Sequence, residues 1–114
     1  RTYAVDTADG GVGFIVHDMP GDQHSLDEIL QGFLDAYKLV SPGDTLTATS
    51  IQKTTVDGRP ALDARLSSSD GSVGAVRIIA DDTHVVQAVT FGPKANEKAL
   101  NQMHQQLITS IHIP

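Results

Sequence analysis

Between Val56 and Ile79 the chain reads VDGRPALDARLSSSDGSVGAVRII, and its two Asp-Gly pairs, Asp57-Gly58 and Asp70-Gly71, constrain the fold more than any other feature. Asp-Gly supplies the positive φ that a tight hairpin turn needs, and such turns match the twist of the strands they join. The flanking runs are strand-like. Thr45 to Thr55 (TLTATSIQKTT) is rich in β-branched residues but poor in large apolar ones, which predicts an edge or half-exposed strand. Ala61 to Ser68 alternates, with Leu62, Ala64 and Leu66 on one face and Asp63 and Arg65 on the other. Val73 to Ala80 and His84 to Phe91, joined across Asp81-Asp82-Thr83, are apolar on both faces. Such strands belong in the middle of a sheet covered on two sides. The stretch therefore predicts four consecutive antiparallel strands, with the turns setting their register.

Upstream, Arg1 to Thr7 and Val12 to His17 form a first hairpin around Asp9-Gly10-Gly11. After the Pro20-Gly21 loop, Ser25 and Glu28 have the spacing of a capping box. Leu26, Ile29, Leu30, Phe33, Leu34 and Tyr37 then follow at one-face helical spacing, and Ser41-Pro42-Gly43 stops the helix. Gly32 interrupts this helix and predicts a close approach to the sheet. A last helix is expected over about Asn96 to Ser110, with Leu100, Met103, Leu107 and Ile111 as its stripe and Ala99 and Ile108 widening it. The order β-β-α-β-β-β-β-α predicts an α+β fold, a mostly antiparallel six-stranded sheet sandwiched by helices. At 114 residues one domain spanning 1–114 is expected.

The net charge is −6, and twelve of the 14 acidic residues are Asp, a turn and cap residue. An acidic chain without a basic stripe, with few aromatics and no Trp, is not expected to bind nucleic acid. With no cysteine, thiolate metal sites and cysteine nucleophiles are excluded. No apolar run approaches the ~18–20 residues of a membrane span, so no membrane insertion by this domain is expected. The chain opens at Arg1 directly on strand-like residues, as expected of a mature or trimmed fragment from which any targeting signal could have been removed. Below about pH 6 the five His would take the charge from −6 toward −1, weakening repulsion between molecules.

Few side chains suggest chemistry. Asp81, Asp82 and His84 could ligate a divalent ion at one hairpin tip, since Asp oxygen and His nitrogen are suitable donors. The same residues make an ordinary polar turn, which is the reading adopted. His17-Asp18, with His24 nearby, is half of an acid–base arrangement, but equally the end of a strand and the start of a turn. No G-x-S-x-G elbow is present. Asp57-Gly58-Arg59 reads as turn chemistry, and Gly10-Gly11-Val12-Gly13 lies between strands rather than before a helix, where a phosphate cradle needs it. The N-terminus of the first helix could attract anions, but Asp27 and Glu28 already occupy it. Asn101, Gln102, Gln105 and Gln106 give the last helix an amide-rich outer face, either solvated or set against a partner. No catalytic, cofactor or metal residue is assigned, and no cofactor is expected.

The layout of the whole chain resembles the PsbP-like superfamily, in particular its bacterial exported or lipoprotein branch of the LpqN type. The resemblance runs through the Thr-rich strand, Val56-Asp57-Gly58-Arg59-Pro60-Ala61 with the hairpin behind it, Arg77-Ile78-Ile79, and a last helix closing on Ser110-Ile111. It implies a non-catalytic accessory or binding domain, exported by a bacterium, and carries over no catalytic residue. The expected partner is another protein or a small apolar ligand held between sheet and helix. The alternatives are a small hydrolase-like enzyme using His17, His24 or the Asp81–His84 turn, and a structural ectodomain of a larger envelope protein.

Overall fold

The computed structural model describes residues 2–7, 10–17, 25–80 and 84–110, with the backbone alone described for 2–7, 14 and 17. Strands β1 (Thr2–Thr7) and β2 (Gly10–His17) precede helix α1 (Leu26–Val40). Then come β3 (Leu46–Val56), β4 (Arg59–Ser68), β5 (Ser72–Ala80) and β6 (Val85–Pro93). A single 3-10 turn, Lys94–Asn96, leads into α2 (Glu97–Ser110). All six strands join one antiparallel sheet in the order β1-β2-β6-β5-β4-β3. β5 and β6 are central and β3 is an edge, as the hydrophobic pattern predicts.

The turns act as their sequences require. Asp57 and Gly58 both take positive φ, 51° and 79°, and Val56 pairs directly with Arg59 across a two-residue turn. The second turn is one residue longer. Gly71 N–H donates to Ser68 O at 3.1 Å, and Gly71 itself has φ 93°. The long edge strand β3 carries a feature its sequence does not announce. Its register shifts between Thr49 and Gln52 around Ser50, at φ 51°. Such a bulge twists an edge away from further pairing.

Period-two alternation divides the sheet into two buried faces. One carries Leu62, Ala64 and Leu66 of β4, Val76 and Ile78 of β5, and Val85 of β6, packed with Ile29 and Leu30 of α1. The other carries Thr90 of β6, bonded to His104 of α2, and a small cluster of Ala61, Ile79 and Val86. The helices lie on opposite faces, which makes the expected sandwich. Leu62, Val76, Ile78 and Ile79 are fully buried, and each stabilises the fold by roughly 1.5–3 kcal/mol relative to exposure. Helix α1 starts where its cap dictates. The Ser25 hydroxyl accepts from Glu28 N–H at 3.1 Å, and the helix closes with Ser41 N–H donating to Tyr37 O at 2.8 Å. No helix among the described residues is long and apolar enough to cross a membrane.

Candidate functional site

Helix α1 covers its sheet face unevenly. It packs chiefly on β3, β4 and β5 and leaves a groove along the β6–β2 seam. Its flank toward β3 is charged, where Lys53 Nζ meets Asp27 Oδ2 at 2.9 Å. Its opposite flank is small and apolar, and there a cavity of about 590 Å³ opens between helix and sheet. Ile29, Gly32, Phe33, Ala36 and Val40 form the helix wall, and Ile15, Val85 and Gln87 form the sheet wall. Tyr37 fixes the helix at this distance. Its ring meets Phe91 edge-on, with centroids 6.1 Å apart, and its hydroxyl lies 3.3 Å from Ser68 Oγ. Gly32 is not the close approach that its position in the helix suggests. A Cβ added there would have no atom within 4 Å, so the residue widens the groove instead. Val40, at the outer end of the wall, is 82% exposed, and its neighbour in sequence, Leu39, is 86% exposed. The polar exceptions are Glu28, exposed near the start of α1, and Gln87, buried in the middle of β6.

A second polar centre lies under α2. Asp63 and Arg77 are cross-strand partners joined by two bonds, Nε to Oδ1 at 2.6 Å and Nη2 to Oδ2 at 2.8 Å. This pairing with Asp63 raises the Arg77 pKa above its ordinary value. Arg65 reaches Glu97 at 3.5 Å and Asn101 Oδ1 at 3.3 Å, tying the helix to the sheet. His104 is buried with Nδ1 2.9 Å from Thr90 Oγ1. Burial holds its pKa below the usual His range; nearby Asp63 opposes this, while Arg77 and Arg65 reinforce it. Every group in this centre has a partner, and it has the character of a structural clamp.

The residues singled out from sequence fare differently. His84 precedes β6 and is half-buried, but Asp81 and Asp82 lie outside the described residues, as do Asp18 and His24. The register sets His17 opposite Val85, so both candidate sets fall at one end of the sheet. Among the described residues no group of three or more His, Asp or Glu could hold a metal ion. Asp57-Gly58-Arg59 is a turn, closed further by Arg59 Nη1 donating to Asp57 O at 3.3 Å. The Gly10-Gly11-Val12-Gly13 run is strand backbone, paired with β1 throughout and with β6 from Gly11 onward. Asn101 belongs to the α2 clamp, whereas Gln102, Gln105 and Gln106 are exposed. Two residues went unnoticed in the sequence. His104 sits four after Leu100 and three before Leu107, on the buried stripe. Gln87 shares a face with Val85 and Val89, so alternation alone marks it as an inward polar group.

No family model matches the chain, and no curated protein matches it significantly. Solved structures do. The solution structure of cyanobacterial PsbP from Synechocystis superposes with a TM-score of 0.74 at 10% identity, covering 99% of this chain and 82% of that one. The crystal structure of a protein of unknown function from Pseudomonas aeruginosa gives a TM-score of 0.70 at 9% identity, covering 100% and 83%. The fold is PsbP-like, as the sequence layout suggests.

Proposed function

We propose that this chain is a non-catalytic, exported bacterial binding domain that holds a small apolar ligand between α1 and the sheet. One observation carries the reading: a cavity of about 590 Å³ whose wall is almost wholly aliphatic and aromatic, opened by a glycine where a larger helix former would fill it. Its volume lies within the ~300–1,000 Å³ of small-molecule sites, and apolar lining with few polar groups is their usual chemistry. The export half of the reading rests on the resemblance of the sequence to the exported branch of the superfamily. Fractionation of the native host tests it, and a cytoplasmic pool would overturn it.

Thermal shift of the purified chain against apolar small molecules, with divalent metals and sugars as controls, tests the binding half. A ligand at 100 times its Kd should add about 2.7 kcal/mol, which for a domain of this size is a rise on the order of 10 °C. Gly32→Phe should fill the groove and abolish the shift while leaving the unliganded protein folded, since the added side chain grows into open space. A flat panel, or a shift that survives Gly32→Phe, would refute the site. A protein partner is the second reading, favoured by the exposure of Leu39 and Val40. Leu39→Asp would weaken such a partner and leave a small-molecule shift intact.

A further inference from the structure

We propose that the groove under α1 selects an uncharged amphiphile, with its apolar body in the cavity and one neutral hydrogen-bonding group, an alcohol or amide, on Gln87. The proposal rests on the binding reading above and names its ligand class. Gln87 is only 6% exposed, yet its side-chain amide makes no hydrogen bond to any other residue among the described ones. Its register neighbours, Ile15 on β2 and Ile78 on β5, offer nothing polar. Nor is the amide sealed away, because among the described residues no side-chain nitrogen or oxygen is both fully enclosed and unpaired. It opens onto the cavity that it lines. With no protein partner among the described residues, the amide can bond only to water in the cavity or to a group that displaces that water, so it is an incomplete site rather than a packed one.

The charge of the surroundings narrows the ligand. No Lys or Arg lines the cavity among the described residues, and its one ionisable carboxyl is Glu28 at the rim. A carboxylate headgroup placed on Gln87 would give up its hydration with no Lys or Arg among the described lining residues to pair it. An ammonium would exchange its hydration for a single amide carbonyl, a poor trade in an apolar groove. A primary amide offers two donors and an acceptor, so it can pair with a neutral hydroxyl or amide in either sense. At ~30 Å³ per water, the cavity equals about twenty water volumes, room for a ten-carbon chain and its headgroup.

A matched series settles the point: decanol, decanamide, decanoate, decylamine and the headless chlorodecane, titrated into the intact chain at pH 7. Decanol and decanamide should bind at least tenfold more tightly than decanoate or decylamine. In Gln87→Leu their affinity should fall about fivefold, while chlorodecane binds as well as before or better. Equal binding of decanoate or decylamine in the natural chain, or undiminished decanol binding in Gln87→Leu, would overturn the headgroup assignment and leave the apolar-ligand reading standing. Failure of all five probes to bind would overturn both. Should Gln87→Leu not fold, Gln87→Met serves in its place, and the headgroup series in the natural chain decides on its own.

Discussion

At Gly74, where β5 runs beside β6, the first carbon of any side chain would fall onto the carbonyl of Thr90 and within 2.9 Å of the Phe91 Cα and ring. Two of those contacts are backbone, which cannot swing aside as a flexible side chain can. Gly74→Ala should therefore cost about 1–3 kcal/mol, the usual penalty for overfilling a packed interior. The measurement is the urea midpoint, and an unchanged midpoint would show that the two central strands can part without loss. Gly10 is confined in a similar way, since a Cβ added there would lie 2.7 Å from the Phe91 carbonyl oxygen and 3.0 Å from the Gly92 Cα. Gly32 is the opposite case, open on every side. Glycines at Asp-Gly turns are legible from their neighbours in sequence. The confinement of Gly10 and Gly74 and the open space at Gly32 are not, because each depends on where other elements lie.

At the scale of elements, the two helices were readable for the same reason and differ for another. Both have apolar stripes that name their buried side, and Ser25 and Ser41-Pro42-Gly43 give the limits of α1 to within a residue. How closely each helix lies on the sheet is not in the stripe. Helix α2 is drawn down by Leu100, by Arg65 reaching across to it, and by the His104–Thr90 bond, whereas α1 stands off on Tyr37. The α2 clamp has a pH signature. Because His104 has a lower pKa folded than its ordinary value of 6.5, the unfolded chain takes up the proton first. Its contribution is fully present above about pH 6.5. It is lost as the pH falls through the folded pKa. The urea midpoint should thus decline from pH 7.5 to pH 5.5 more steeply in the natural chain than in His104→Gln. Parallel declines would show that His104 is not among the groups responsible. The β3 bulge at Ser50, by contrast, left no trace in TLTATSIQKTT, where every residue suits a regular strand.

For the molecule as a whole, charge governs association. Protonation of histidines below pH 7 would reduce the net charge of −6, but buried His104 lags behind the simple count of five. Light scattering at low salt should show particle size growing between pH 7.5 and pH 5, and a constant size across that range would sink the expectation. The order and pairing of strands were foreseeable because consecutive hairpins leave few alternatives, while the cavity was not, since no local pattern records a gap between layers. The strand order has a further consequence in time. The sheet side of the groove is divided between Ile15 of the first hairpin and Val85 and Gln87 of the last strand, which meet only through the β2–β6 pairing. A nascent chain that has emerged as far as β5 can pack α1 on β3, β4 and β5 but lacks the Val85 and Gln87 wall of the groove. Bringing β6 back to β2 is the strand pairing of greatest sequence separation in the sheet, a step that chain entropy makes slow. The groove is consequently complete only once the first hairpin and the last strand have met, which makes it a late structure that a half-emerged chain cannot offer.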